Sequence, residues 1–365
     1  MKKILLTFGT RPEAVKMASL YLELKSRSEC ETKLCVTAQH REMLDQVLTA
    51  FGITPDFDLN IMRERQTLTD IVCNSLQGME GVLDEYRPDL LLVHGDTGTA
   101  FAASLAAFHK QIPVGHVEAG LRTWDKLAPY PEEVYRQVID DIADLYFAPT
   151  EHSRENLLRE GKDPSKIIVT GNTEIDALRY TVREDYSHAV LESVSGLTPV
   201  FMECHRRENL GEPMRSVFRA VKRFVGEFED VAVIFPVHLN PAVREAADSE
   251  LGGVERVTLI DPLEVTDCHN FMNKCYFILT DSGGLQEGAA GLNKPVLVAR
   301  DVTERPEGIT AGTLKLVGTN EQTVYENLRE LFTNRELYAN MSNALNPFGD
   351  GFASKRIADA ILKDN

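Results

Sequence analysis

Short apolar runs alternate with longer amphipathic stretches through most of the chain. In the first half the runs fall at residues 4–8, 34–37, 90–93, 114–117 and 145–147. The segments between them read as helices, and strands alternating with helices predict a parallel sheet. Near Ile167-Ile168-Val169 the pattern pauses, and the stretch after Tyr180 is polar and charged. Apolar runs return at 199–202, 231–235, 257–260, 277–279 and 296–298. A hinge is therefore expected near residues 168–190, with a doubly wound domain on each side. The N-terminal domain is assigned to 1–170 and the C-terminal domain to 171–349, with a helix over 350–365 expected to pack back on the first. The predicted architecture is α/β: two doubly wound, Rossmann-like domains facing a central cleft. Open parallel sheets bind ligands at the carboxyl ends of their strands, so polar residues there are the first candidates for chemistry.

The segment 276–298 is the most informative of these units. An apolar run breaks at Asp281-Ser282-Gly283-Gly284, a helical stretch follows, and a second apolar run starts at Pro295. Glycines at the turn let backbone approach a ligand, and a helix N-terminus offers unpaired N–H groups with partial positive charge. That combination suits a nucleotide phosphate.

Length and composition narrow the class. At 365 residues the chain exceeds one ordinary core, which agrees with two domains. Hydrophobic content of 43% and charged content of 26% are those of a globular protein, and no apolar run approaches the ~20 residues that span a bilayer. The two lysines before the first run precede too short an apolar stretch for a secretory signal, so a cytoplasmic protein is expected. A net charge of −17 argues against nucleic acid as partner, while an anionic small molecule held by local arginines remains open. Six cysteines are scattered without Cys-x-x-Cys or zinc spacing and are expected to be reduced, with no metal.

Polar residues cluster where the predicted strands end. Gly9-Thr10-Arg11-Pro12 follows the first, with Pro12 suited to a helix start and Arg11 and Lys16 able to meet an anion. His94-Gly95-Asp96-Thr97 follows the third, and His116-Val117-Glu118 closes the fourth. A Pro-x-Pro segment then presents Glu132. Any one of Asp96, Glu118 and Glu132 alone reads as a cap or a first-turn helix residue. Three carboxylates in one half of the chain favour acid/base chemistry. In the second half His205-Arg206-Arg207 is a cationic cluster and His238 lies in a similar loop. Cys204 beside His205 is discounted as a nucleophile, because neighbours on a strand point to opposite faces. Glu304 and Arg305 are placed beside the Ser282-Gly283-Gly284 turn.

As a set these strings resemble the non-hydrolysing UDP-N-acetylglucosamine 2-epimerases of bacteria. The matching segments include Gly9-Thr10-Arg11-Pro12-Glu13-Ala14, His94-Gly95-Asp96-Thr97, Gly115-His116-Val117-Glu118-Ala119-Gly120-Leu121-Arg122, His205-Arg206-Arg207-Glu208-Asn209, Thr280-Asp281-Ser282-Gly283-Gly284 and Thr303-Glu304-Arg305-Pro306-Glu307. They run in order along nearly the whole chain. The resemblance implies a GT-B-like fold and the interconversion of UDP-GlcNAc and UDP-ManNAc for cell-envelope polysaccharide, without cofactor. UDP would be eliminated to leave 2-acetamidoglucal and then added back. It implies acid/base roles for Asp96, Glu118 and Glu132, and His205 as a donor at the leaving diphosphate. Arg11, Lys16, Ser282, Gly283, Gly284 and Arg305 would hold UDP and the sugar. A second, activating UDP-GlcNAc site would use Gln39, Glu42, Arg65, Gln66, Arg206 and His238. A homodimer is implied, with no nucleic-acid or membrane partner.

Some positions depart from the family pattern. Gly288 stands where the family has a ribose-binding Glu. The loop carrying Glu132 reads Trp124-Asp125 and Ala128-Pro129-Tyr130-Pro131, and Tyr135 stands beyond it, so the sugar pocket is expected to differ. Two competing readings follow: a hydrolysing relative releasing UDP and ManNAc, and a catalytically silent sugar-nucleotide-binding paralogue.

Overall fold

The computed structural model describes residues 1–38, 41–63, 66–303 and 305–363. It divides into two compact units, Met1–Tyr180 with the chain from Gly349 onward, and Thr181–Phe348. In the first unit seven described strands form one parallel sheet. They are β1 (Lys2–Phe8), β2 (Cys30–Val36), β3 (Phe57–Asp58), β4 (Leu90–His94), β5 (Val114–Val117), β6 (Leu145–Ala148) and β7 (Ile167–Val169), in the order β3-β2-β1-β4-β5-β6-β7. The central strands are buried on both faces, as helices on either side of a parallel sheet require, so β4 is apolar from Leu90 to Val93 without alternation. Chain direction across the sheet reverses between β1 and β4, where Leu6 pairs with Leu92. In open parallel sheets such a reversal is where ligands bind, and here it falls beside Gly9 and Gly95.

The helix Ala353–Leu362 packs in this unit against the helix Arg11–Lys25. Asp176 accepts the backbone N–H groups of Ala353 at 3.0 Å and Ser354 at 2.7 Å, which satisfies orphan donors at the start of that helix.

In the second unit six described strands form another parallel sheet. They are β8 (Thr198–Glu203), β9 (Val231–Pro236), β10 (Val257–Ile260), β11 (Ile278–Thr280), β12 (Val296–Val298) and β13 (Leu314–Leu316), in the order β10-β9-β8-β11-β12-β13. Phe218, Phe224, Phe235 and Phe277 fill its core. The reversal here lies between β8 and β11, with Glu203 opposite Thr280.

The architecture is the expected pair of parallel α/β sheets. Three strands lie outside the expected apolar runs, and each has a local reason. β3 holds two residues and β13 carries Lys315 at its centre, both at sheet edges. β7 falls where the pattern pauses, at the far edge of the first sheet. This stretch of the first unit runs to Tyr180 and includes all but the last residue of the helix Thr173–Thr181. Among the described residues no helix is long and apolar enough to cross a membrane.

Candidate active site

The first unit gathers acids at the ends of β4 and β5, which are adjacent strands. Glu118 immediately follows β5 with φ of 69°, a left-handed conformation rare for a residue with a side chain. Such strain is of order 1–3 kcal/mol and persists only when surroundings impose it. The Lys16 ammonium grips Glu118 Oε1, and Asn172 Nδ2 donates to the same oxygen at 3.2 Å. His94 Nε2 stands 3.8 Å from the other oxygen. Burial lowers the His94 imidazole to about 4, so the ring is neutral at pH 7.

Asp96 follows β4 and meets Arg136 at 2.6 Å. Burial raises its carboxyl above the usual carboxylate range; Arg136 opposes this, while the charges of Glu118 and Glu132 add to it. Asp96 therefore feels the charge of both other acids. Glu132 opens the helix Glu132–Ile142, and its buried Oε2 has no hydrogen-bond partner among the described residues.

The same helix holds the surrounding loop in place. Glu133 is fully buried and accepts the backbone N–H groups of Thr123 and Trp124, each at 3.0 Å. Further along, Asp140 accepts from His116 Nδ1 at 2.6 Å, Arg122 at 2.7 Å and Gly120 N at 3.2 Å. Burial alone would raise the Asp140 carboxyl, but His116 and Arg122 outweigh it and hold the group low.

The turn after β1 is committed internally. Glu13 accepts from Gly9 N at 3.1 Å, Thr10 N at 2.8 Å and the hydroxyl of Thr97 at 2.7 Å. Burial still pushes its carboxyl up despite these donors.

In the second unit Asp281 follows β11 and is fully buried. It accepts the backbone N–H of His205 at 3.0 Å, that of Arg206 at 3.0 Å and Asn209 Nδ2 at 3.0 Å, so it fixes the turn after β8. The His205 ring stacks on His238 at 5.3 Å and lies 3.3 Å from Glu203. Burial would lower the His205 imidazole, but Glu203 outweighs it and the net shift is upward, towards the cation. His238 shifts down, through burial and then the charge of His205. Beyond Asp281 the helix Gly283–Gly291 begins at Ser282. The Arg305 guanidinium lies over its first turn, 3.4 Å from where a Cβ on Gly283 would stand, and pairs with buried Glu287 at 2.7 Å. Cys204 is 2% exposed, and burial raises its thiol, so it is no nucleophile.

A family model described as UDP-N-acetylglucosamine 2-epimerase matches residues 22–362. The chain belongs to the UDP-N-acetylglucosamine 2-epimerase family. It is 59% identical over 360 residues to a Bacillus subtilis protein named UDP-N-acetylglucosamine 2-epimerase, covering 99% of this chain and 95% of the relative. The crystal structure of a Listeria monocytogenes relative superposes with a TM-score of 0.95 at 54% identity, covering 100% of this chain and 96% of that one. The UDP-GlcNAc 2-epimerase from Neisseria meningitidis, solved bound to UDP-GlcNAc, matches with a TM-score of 0.91 at 45% identity over 99% of this chain and all of that one.

Within this epimerase-family chain, the residues singled out from the sequence fall into separate groups. Asp96, Glu118, Glu132 and Lys16 meet in the first unit, with Lys16 engaged by Glu118. Arg11 begins the helix Arg11–Lys25 and is half-buried. Ser282, Gly283, Gly284 and Arg305 lie together in the second unit, and His205, Arg206 and His238 lie around Asp281. Glu42 is exposed near the start of the helix Arg41–Ala50, and Gln66 is half-buried. Gln39, Arg65 and Glu304 lie outside the described residues. Sequence reasoning missed Glu13, Glu133, Asp140, Asp281 and Glu287 as buried acids that organise these loops. Only Glu13 carried a local signal, since Thr10 and Glu13 have capping-box spacing.

Proposed function

We propose that this chain interconverts UDP-N-acetylglucosamine and UDP-N-acetylmannosamine by elimination and re-addition of UDP. A carboxylate takes the proton from carbon 2 of the hexose. The electron pair of that C–H bond forms the C1–C2 double bond, and the bond from C1 to the diphosphate oxygen breaks. UDP and 2-acetamidoglucal remain bound. A second carboxylic acid then protonates carbon 2 on the opposite face as the diphosphate oxygen re-bonds to C1. Atoms and charge balance without redox or metal chemistry.

The observation that carries this reading is buried Asp96 under the charge of Glu118 and Glu132. The reaction needs one group ready to accept a proton and another ready to give one. Interacting carboxyl groups in unequal surroundings supply that pair. Glu118 is held as a carboxylate by Lys16, whereas burial favours the protonated form of Asp96. Preorganised donors at a developing anion lower the barrier to leaving-group departure. His205, biased towards the cation, serves the diphosphate in this reading. Arg11, Lys16 and the helix start at Ser282, Gly283 and Gly284, with Arg305, are proposed to hold UDP and the sugar. Glu42, Gln66, Arg206 and His238, with Gln39 and Arg65, are proposed for a second, activating UDP-GlcNAc site. The enzyme is proposed to work as a cytoplasmic homodimer.

A proton NMR time course with UDP-GlcNAc in heavy water tests the proposal. The expected result is UDP-ManNAc with deuterium at carbon 2 and no free sugar. Free ManNAc appearing in step with UDP would replace this reading by hydrolysis, and product without deuterium would exclude elimination.

A further inference from the structure

Three segments carry the acids assigned to proton transfer, and one carboxylate ties all three. Asp140 lies on the helix that Glu132 opens, roughly two turns further on. Its Oδ1 meets His116 Nδ1 at 2.6 Å, two residues before Glu118. Its Oδ2 accepts from Gly120 N at 3.2 Å and from Arg122 at 2.7 Å, just beyond Glu118. The left-handed turn at Glu118 is thus clamped from both sides by one group. The other ring nitrogen of His116 stands 2.8 Å from the carbonyl oxygen of Gly95, the residue before Asp96. Both His116 and Asp140 side chains are fully buried, and Arg122 continues to Glu160 at 2.6 Å.

A carbonyl oxygen only accepts, so His116 Nε2 is the donor to Gly95, while Asp140 takes the opposite ring nitrogen between the ring and Arg122. With both side chains fully buried, neither contact has a water competitor, and this gives the pair directional authority over the loops it joins.

We propose that Asp140 and His116 are positioning residues of the reaction: together they fix the mutual placement of Asp96, Glu118 and Glu132. The proposal rests on the proton-transfer roles given to those carboxylates above. Neither side chain reaches solvent, so each acts through the groups it holds. A displacement near 1 Å at the reacting groups lowers turnover about 100-fold.

The test has two independent arms. In 15N-labelled protein the His116 ring signal, assigned by its loss in His116→Gln, is expected to move in Asp140→Asn, because the ring is bonded to that carboxylate. A ring signal unmoved in Asp140→Asn overturns the proposal. In the kinetic arm, Asp140→Asn is expected to lower kcat about 100-fold per folded molecule while KM stays within about threefold. Deuterium entry at carbon 2 should fall in step. Full kcat per folded molecule with only a lower melting temperature would mean a purely structural role and overturn the proposal. Should Asp140→Asn fail to fold, His116→Gln, which keeps Asp140 on Arg122, carries the same expectation. The ring spectrum uses no turnover. A wild-type protein that does not act on UDP-GlcNAc therefore sinks the reading of the preceding subsection, while the spectrum still decides this one.

Discussion

Arg136 meets Asp96 at 2.6 Å from the same helix that Glu132 opens, so one helix carries a candidate acid and the cation that tunes another. Burial raises the Asp96 carboxyl, and Arg136 is the largest influence against it. Replacing Arg136 by Met removes the cation and keeps most of the apolar stem. Asp96 then rises further, and a smaller fraction is ionised at any given pH. As the group that must carry a proton, Asp96 sets the alkaline limb of the kcat/KM profile, which is expected to move to higher pH. An unmoved limb in Arg136→Met would separate Asp96 from the proton-transfer step.

His94 makes stability depend on pH with a definite sign. The ring is 4% exposed, and burial holds it at about 4 in the folded state. In the unfolded chain an ordinary histidine takes up its proton near pH 6.5. Between those values the unfolded state binds more protons, so the stabilising share of neutral His94 is complete above about pH 6.5. It is lost as pH falls towards 4, by about 3 kcal/mol in total. His94→Gln keeps a polar side chain without the titration. Urea midpoints measured from pH 7.5 down to 4 should fall more steeply for the wild type than for the variant. Parallel curves would show that another group controls acid unfolding.

The turn after β1 demands glycine for reasons of space. A Cβ on Gly9 would stand 2.1 Å from Thr37 Oγ1 and 2.5 Å from Thr99 Oγ1. Those two hydroxyls hydrogen-bond each other at 2.9 Å, both buried, so neither can swing away without losing its partner. Gly9→Ala is expected to destabilise the protein by about 1–3 kcal/mol through overpacking. A urea midpoint within error of the wild type would mean that the β1–helix turn relaxes freely.

Much of the sheet architecture was legible because buried parallel strands are apolar on both faces and stand out as unbroken runs. The run at residues 90–93 and the one at 114–117 became neighbours β4 and β5, and Asp96 and Glu118 came with them. Edge strands escaped for the opposite reason. Phe57–Asp58 is too short to show a period, and Lys315 interrupts Leu314–Leu316. The organising acids escaped for a deeper one. Asp140 and Asp141 are adjacent on one helix, yet Asp140 is fully buried and Asp141 is exposed. Nothing local distinguishes them; the distinction comes from His116 and Arg122, which another segment delivers. Asp281 reads as part of a phosphate turn, but its carboxylate faces inward to the loop after β8.

Glu118 combines a strained backbone with a bound cation, an arrangement suited to a base that must stay ionised until substrate arrives. Glu118→Gln preserves shape and removes the charge. Turnover is expected to fall by a factor of roughly 100 or more, the usual worth of a positioned acid or base. Since Lys16 loses its counter-charge, substrate affinity should change less than kcat. Wild-type kcat in Glu118→Gln would transfer the base role elsewhere.

The chain holds a single tryptophan, and it sits in the loop between Glu118 and Glu132. Trp124 is 48% exposed, its backbone N–H is anchored by Glu133 at 3.0 Å, and the Arg159 guanidinium lies 4.5 Å from the ring centroid. Anchoring the backbone while leaving the ring in water makes the indole a reporter for whatever settles beside the loop. If the hexose is handled by Glu118 and Glu132, it lies next to this segment and displaces water from the ring. Tryptophan emission should then move to shorter wavelength on adding UDP-GlcNAc. UDP alone lacks the hexose and should move it less. With one tryptophan the signal has no second source, so a titration read beside an independent binding measurement decides the matter. Saturation by UDP-GlcNAc without any spectral change would place the hexose away from this loop and separate Glu132 from the reacting carbon.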